Sequence, residues 1–424
     1  MPERLIYVVR SWPRLSQTFI VDEVLALERL GRALTVFSLV HSGESVVQPQ
    51  VARVRAPVHH LDSRERHRLR RNVRLHLSAL RRAPRRYAAT LATVLRHPRL
   101  AAGYGDCSTL RCFHDATRVA DAVARMRADG DRVEHLHAHF AHDPALVGLF
   151  AARLAGLRFS FTGHARDLLQ IPPAALSARA AAATAMVTCC QANAAYIAAT
   201  VPEPSRPPIE VIHHGVDLTR FRPPQRRREG AAVPVLLSVG RLVQKKGFDD
   251  LLHALAELRR RGSAFECRIY GDGPLRDELE DLRDRLGLHD RLRMMGARSS
   301  DEVVAALADA DVFVLMARQT DDGDRDGIPN VLVEAMACAV PVVATVVGGI
   351  PELVRDRRNG LLRPERDHAG VAAALESLLA DEGLRRRLGE SARRTVEADF
   401  DVDVAACRLD ALFRGARHPL EVAR

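Results

Sequence analysis

Short apolar runs alternate along this chain with stretches of helical periodicity. Arg4–Val9 predicts a strand, Phe19–Leu30 a helix stopped by Gly31, and Leu34–Val40 a second strand. That β-loop-α-β opening is the unit of a doubly wound parallel sheet. The alternation resumes with a strand ending at His135–Phe140, a helix over Pro144–Ala155, and strands at Arg158–Thr162, Ala185–Cys190 and Ile209–His213. A second series follows. Val235–Val239, Glu266–Tyr270, Arg291–Met295, Asp311–Leu315 and Pro341–Thr345 read as strands. Phe248–Arg261 and Val331–Cys338 read as helices, and Ser299 with Glu302 forms a capping box that opens another.

Between the two series, Thr219–Ala232 is rich in Pro and Arg and lacks periodicity, which marks a linker. The expected organisation is an α/β domain over 1–217, a linker over 218–232, a second α/β domain over 233–395 and a closing segment over 396–424. In two facing sheets of this kind, substrates lie outside the carboxyl ends of the strands, in the cleft between the domains.

Residues 64–99 break the pattern. They carry twelve arginines and no Asp or Glu after Glu65, while Leu69, Val73, Leu77 and Leu80 recur at helical spacing. Two readings fit: a pair of solvated helices packed on the domain by one face, or a patch for an anionic membrane surface.

Composition narrows the classes. A chain of 424 residues is too long for one ordinary core. With 47% apolar and 27% charged residues it is globular rather than disordered. The formal charge of +10 suits an anionic partner, but aromatics at 4% leave little for base stacking, so no nucleic acid is expected. Seven scattered cysteines without a C-x-x-C pair predict reduced thiols and no structural zinc. No leader peptide is expected. No apolar run approaches the roughly 18–20 residues that span a bilayer, so the expected setting is cytoplasmic, or peripheral on the inner face of the plasma membrane.

Three segments carry candidate chemistry. Gly240–Gly247 follows a strand and precedes a helix, where Arg241 and Lys246 would grip a diphosphate beside backbone amides; it lacks Walker spacing. Asp326-Gly327-Ile328-Pro329-Asn330 leads into a helix bearing Glu334, whose carboxylate suits a diol such as a ribose. Gly163-His164 ends a strand at the cleft. Asp322, Asp324 and Asp326 begin like a calcium loop, but Val333 stands where the ligating Glu belongs. His135, His137 and His139 alternate as zinc ligands can, without a third and fourth partner nearby. Gly348-Gly349 permits close backbone approach at a helix start. No G-x-G-x-x-G opens either domain, which disfavours a dehydrogenase, and no G-x-S-x-G elbow is present.

Taken in order, G-R-L-x-x-K-K-G (Gly240–Gly247), Y-G-D-G-P-L (Tyr270–Leu275), the Gly327–Ala337 run, P-V-V-A-T (Pro341–Thr345) and G-G-I-P-E (Gly348–Glu352) resemble glycosyltransferase family 4. These are retaining enzymes of the GT-B fold. The opening Leu15-Ser16-Gln17-Thr18-Phe19-Ile20 is closer to the colanic-acid and exopolysaccharide branch. The resemblance implies two Rossmann-like domains facing across a cleft, with the closing helix crossing back to the first. It implies a nucleotide diphosphate sugar (UDP- or GDP-linked) as donor, a glycan or lipid-linked acceptor, and no cofactor or metal. Arg241 and Lys246 would hold the diphosphate and Glu334 the ribose. Asp326 and the amides of Gly327, Ile328, Pro329 and Asn330 would meet the sugar. Gly271, Gly273 and Arg298 belong to loops around the nucleobase, and His164 and Thr18 lie near sugar and acceptor. The first acidic position, usually Glu, is Asp326 here, one methylene shorter. The rival readings are a sugar-nucleotide epimerase or hydrolase on the same fold, and a catalytically weak donor-binding subunit.

Overall fold

The computed structural model describes residues 3–15, 17–44, 47–61, 69–103, 107–224 and 233–415. Strands β1 (Glu3–Trp12), β2 (Ala33–His41), β3 (Val58–His60), β4 (Arg132–His139), β5 (Arg158–Gly163), β6 (Ala185–Thr188) and β7 (Ile209–Val211) form a parallel sheet ordered β3-β2-β1-β4-β5-β6-β7. Helices α1 (Thr18–Arg29), α2 (Leu69–Arg82), α3 (Pro84–Arg96), α4 (Thr109–Ala128), α5 (Asp143–Ala155), α6 (Arg166–Leu169), α7 (Pro173–Ala180) and α8 (Gln191–Thr200) accompany it. The central strand shows why the apolar runs are continuous. Ile6 and Val8 pack into the cluster with α4 and α5, while Leu5, Tyr7 and Val9 pack into the one with α1 on the other face. A parallel strand covered on both sides has no solvent face to alternate toward.

The second sheet joins β8 (Val235–Val239), β9 (Glu266–Tyr270), β10 (Leu292–Gly296), β11 (Val312–Leu315), β12 (Val342–Thr345) and β13 (Leu361–Arg363) in the order β10-β9-β8-β11-β12-β13, again parallel. Its helices are α9 (Phe248–Arg260), α10 (Arg276–Arg285), α11 (Ser300–Asp309), α12 (Asn330–Ala337), α13 (Ile350–Leu353), α14 (His368–Ala380) and α15 (Glu382–Asp399). The capping box at Ser299 and Glu302 is present, with both reciprocal bonds. In each sheet the strand order reverses at a central pair, β1/β4 and β8/β11, which is where such sheets open a crevice.

The last helix, α16 (Val402–Arg414), packs on the first domain. Its buried residues Val402, Ala406, Leu409 and Phe413 follow the spacing of one helical face and join the cluster of Tyr7 and α1. Ion pairs from Arg32 to Asp410 and from Arg29 to Asp403 fasten its outer side. At the crossing, the Val216 amide donates to the Phe400 carbonyl at 2.8 Å. A Cβ at Gly215 would lie 2.2 Å from the Val402 Cα, so only glycine lets the two segments pass. Residues 225–232 of the linker stretch and 416–424 of the closing segment lie outside the described residues.

Over residues 69–96 the structure packs α2 and α3 on the domain by one face, against α4 and α5, but not by the stripe that the periodicity marks. Val73, Leu77 and Leu80 are exposed, and α2 meets the domain instead through His76 and the buried Ala79. Arg64, Arg66 and Arg68 fall outside the described residues.

Candidate functional site

The carboxyl ends of the two sheets face each other across a cavity of about 670 Å³. On the side of the second domain, the loop after β8 is set by contact with the loop after β9. Gly240 N donates to the Tyr270 carbonyl at 2.9 Å and Leu242 N to the Asp272 carbonyl at 3.0 Å. Gly271 sits at φ +149°, and a Cβ there would come within 1.8 Å of the Gly240 carbonyl. Held this way, Arg241 lines the cavity, exposed, and its side chain makes no hydrogen bond or ion pair with a described residue. It is a cation presented to the cleft without a counter-ion among the described residues.

The neighbouring lysines are paired. Lys246 Nζ donates to Asp326 Oδ2 at 2.6 Å, while Lys245 Nζ lies 3.3 Å from Asp326 Oδ1 and 3.1 Å from Asp324 Oδ1. Burial alone would raise the Asp326 carboxyl, but the two ammonium groups hold it down at about 2. Asp324 is also 3.7 Å from Arg166 Nε of the first domain. Of the acidic residues that resemble a calcium loop, Asp324 and Asp326 therefore serve as lysine partners, while Asp322 accepts from the Thr320 hydroxyl and the Asp324 amide. Among the described residues no group of three or more His, Cys, Asp or Glu is placed to hold a metal.

Because Asp326 titrates below the unfolded value, its contribution to stability is complete above pH ~4 and disappears as the pH falls toward ~2. We expect wild type to exceed Asp326→Asn by about 2 kcal/mol near neutrality, with the gap narrowing between pH ~4 and ~2. Urea unfolding across that range checks it, and a pH-independent gap would contradict the lysine-based cause.

Beyond Asp326, the Gly327–Pro329 loop leads into α12, whose N-terminus opens on the cavity through Asn330 and Val331. Amides at such an end attract anions. Glu334 is 7% exposed and lines the cavity, and its carboxylate has no hydrogen bond from a described residue. Burial, and then the charge of Asp22 across the cleft, raise its carboxyl to about 7; Arg220 partly opposes this. Asp22 is itself pushed up to about 6 by burial.

The first domain contributes a buried imidazole network. His164 Nδ1 shares a hydrogen bond with His214 Nε2 at 3.0 Å, and Phe19 stacks on His214. His139 stacks on His164 and bonds Glu23 Oε1 at 3.0 Å, the oxygen that also accepts from Tyr7 OH at 2.5 Å. Burial alone would raise Glu23, but these two bonds and the nearby His214 keep it below the usual range. His164 and His214 are pushed well below the ordinary histidine value by burial and by neighbouring imidazoles. Both are therefore neutral at physiological pH. His164 lines the cavity, and its buried Nε2 has no partner among the described residues. His137 spends its nitrogens on the Ser160 and Thr162 hydroxyls at 2.8 and 2.9 Å, and His135 Nε2 also bonds Ser160. This is a structural ladder between β4 and β5 rather than a ligand set.

Of the residues singled out from the sequence, His164, Arg241, Lys246, Asp326, Gly327, Ile328, Pro329, Asn330, Glu334, Gly271, Arg298 and Thr18 all line this one cavity. Gly273 does not. It packs on the Leu242 backbone, where a Cβ would approach the carbonyl to 2.6 Å. Gly348 and Gly349 likewise back the Asp326–Gly327 loop. Glu352 reaches across to cap α8, accepting from the Gln191 and Ala192 amides at 2.7 and 2.9 Å. The sequence reading missed Glu23, His214, Arg166, Asp22 and the Arg14–Glu44 pair at the rim. The available signal for Glu23 and Asp22 was two adjacent acids inside the otherwise apolar run Phe19–Leu27.

Comparison with known proteins agrees with this arrangement. Residues 221–395 match the family model described as glycosyl transferases group 1. A putative colanic acid biosynthesis glycosyltransferase, WcaL of Escherichia coli (strain K12), is 41% identical over 213 residues, covering 49% of this chain and 52% of that protein. The chain thus spans about half the length of the curated relatives it matches. Two solved structures align along nearly the whole chain. A glycosyltransferase from Rickettsia africae gives a TM-score of 0.71 at 15% identity, over 97% of this chain and 98% of that one. Anabaena Alr3699/HepE in complex with UDP gives 0.68 at 18%, over 97% and 100%. Such alignments establish the fold as GT-B, and the family match lies on the domain that carries Arg241, Lys246, Asp326 and Glu334. Residues 221–395 are thus similar to the glycosyl transferases group 1 family.

Proposed function

We propose that the protein is a retaining hexosyltransferase. It would move a sugar from a nucleotide diphosphate sugar to a glycan or lipid-linked acceptor in the cytoplasm, in exopolysaccharide biosynthesis. One observation carries this reading: Arg241, whose side chain is unpaired among the described residues, the two lysines, the α12 N-terminus and the Glu334 carboxylate line one cavity between facing sheets. A diphosphate fits the first three and a ribose diol the fourth. The names of the relatives support it, since one is a colanic acid glycosyltransferase and a structural neighbour is described with UDP.

In the step we propose, the bond from the anomeric carbon to the diphosphate oxygen breaks as the acceptor hydroxyl approaches the same face. Negative charge builds on the leaving diphosphate. Arg241, Lys246 and the α12 amides are fixed before reaction, so they stabilise that charge without reorganising. These cations would do the work otherwise done by a divalent metal. Neutral His164 offers Nε2 to the sugar or acceptor. The leaving phosphate oxygen takes the acceptor proton, which keeps the exchange balanced.

The test is a thermal-shift screen with UDP, GDP, ADP and their sugar conjugates. Ligands of the folded state raise the melting temperature. One nucleotide series is expected to stabilise wild type and not Arg241→Ala. No shift with any of them would remove the donor assignment. A donor consumed equally fast without acceptor would point instead to an epimerase or hydrolase.

A further inference from the structure

The outer face of α2 is covered by none of the described residues. Val73, Leu77 and Leu80 stand at i, i+4 and i+7, on one face of the helix, and are 49%, 44% and 38% exposed. Leu95, after the next turn, is 70% exposed, and Leu110, at the start of α4, 63%. Half of the ten exposed large apolar residues in the described chain thus fall between 73 and 110. Isolated exposed leucines mean little, but a contiguous set does.

The charges beside this stripe are all of one sign. Arg70, Arg74 and Arg81 lie along its edge, because positions 70, 74 and 81 share a line on a helix with 100° per residue. All three are exposed, and none makes an ion pair or hydrogen bond with a described residue. Arg82, farther round, differs in pairing with Asp121 at 2.5 Å. Arg74, Leu77, Ser78, Arg81 and Arg82 frame a shallow groove of about 300 Å³. From Arg70 to Arg99 the sequence holds no acid that would repel an anionic surface or neutralise the arginines.

We infer that this face is a docking surface for an anionic lipid bilayer. The three apolar side chains enter the headgroup boundary, and the arginines remain at phosphate level with their aliphatic stems against the lipid. Each basic side chain near such a surface adds attraction. Nucleic acid is a poorer occupant, since phosphates would leave the apolar stripe uncovered and the face carries no stacking ring.

The surface is tied to the cleft. The fully buried Arg179 donates to the Leu100 carbonyl, just beyond α3, at 2.9 Å and to the carbonyl of His142, a cavity residue, at 3.3 Å. Docking through α2 would therefore hold the cavity in a fixed attitude to the membrane. The inference rests on the α2 face alone and does not depend on the proposed reaction.

The experiment uses the full chain and two vesicle preparations: pure phosphatidylcholine, and phosphatidylcholine with one part in three of phosphatidylglycerol. Binding is expected to the anionic vesicles only, and Arg74→Glu/Arg81→Glu should weaken it by roughly tenfold or more. The only native tryptophan, Trp12, is buried, so Leu77→Trp supplies a reporter. Its emission should shift to the blue and be quenched by brominated lipid on anionic vesicles. These sites are exposed, so melting temperatures should not change, and any donor-induced thermal shift should survive in the Arg variants. That last readout separates failure here from failure of the donor assignment. Three results overturn the inference: equal binding to neutral vesicles, no binding to anionic ones, or a self-association that Leu77→Ser abolishes. Duplex DNA binding lost in the Arg variants, with no vesicle binding in wild type, would assign the face to nucleic acid.

Discussion

Arg241→Ala is expected to lower turnover by roughly 10²–10³-fold while leaving the melting temperature of the free protein unchanged. The two halves of that expectation have one cause. Arg241 lines the cavity but has no partner among the described residues, so removing it breaks nothing in the folded chain. What disappears is a fixed positive charge where the leaving diphosphate would develop negative charge. Lys246→Ala should lose a similar factor for the same reason, but with a stability cost. Its ammonium is one of two holding the Asp326 carboxylate, and without it Lys245 alone remains, at 3.3 Å. Removing part of a buried pair costs of order 1–3 kcal/mol when compensation survives, less than the loss of a whole partner. For a domain of this size that lowers the melting temperature by a few degrees. Steady-state turnover of a labelled sugar nucleotide, with thermal denaturation of both variants, checks the pair. A loss below threefold in either variant rejects its assignment, and a destabilised Arg241→Ala would mean that the arginine has a structural role.

How legible this molecule was depends on the distance over which each feature is encoded. Strands such as Val235–Val239 and Glu266–Tyr270 occupy the bounds that their apolar runs predict, because a doubly covered strand needs only local sequence to announce itself. The second-domain half of the cavity was readable for the same reason. Arg241 with Lys246, and Asp326 with Glu334, come from two short segments. The first-domain half was not. Glu23, His139, His164 and His214 come from one helix and three strand ends, and only the parallel order of β4, β5, β6 and β7 brings them together. The sequence showed His137 and His139 alternating, but not that Ser160 and Thr162 on the next strand would engage His137. For α2, periodicity revealed an apolar stripe without revealing what covers it. The inward face is made of the small Ala79 and of His76, which bonds His114 and Tyr87. Neither residue stands out on a hydropathy pattern. Gly273 was misplaced because a motif reports that a glycine is needed, not whether backbone or ligand approaches it.

Glu334→Gln is expected to stabilise the free protein and to weaken donor binding, and both effects should depend on pH. In the folded chain the Glu334 carboxyl titrates at about 7, raised by burial and by Asp22, against an unfolded value near 4.5. As the pH rises from ~4.5 to ~7 the unfolded chain gives up this proton and the folded chain keeps it, so stability falls across that window. The difference amounts to about 3 kcal/mol at most, fully expressed above pH ~7. Glutamine has no proton to lose. Its melting temperature should match wild type near pH ~4 and exceed it at pH ~8. Binding runs the other way. A ribose diol donates two hydrogen bonds, and the ionised carboxylate accepts both, so wild-type affinity for the donor should rise with pH up to ~7 and then level. Glu334→Gln should bind roughly 10–100-fold more weakly at pH ~8, with little pH dependence, which is the range that charged hydrogen bonds account for. Asp22→Asn adds a finer test. Removing that charge should move the inflection in wild-type affinity to lower pH without abolishing binding. Calorimetric titration of the nucleotide found by thermal shift, from pH ~5.5 to ~8.5, measures all three proteins. If Glu334→Gln gains stability but binds donor as tightly as wild type, the carboxylate is a buried charge without a ligand, and the ribose belongs elsewhere in the cavity. If it binds weakly and gains nothing in stability, the carboxylate has a partner in the free protein, and the cause assigned here to its raised value is wrong.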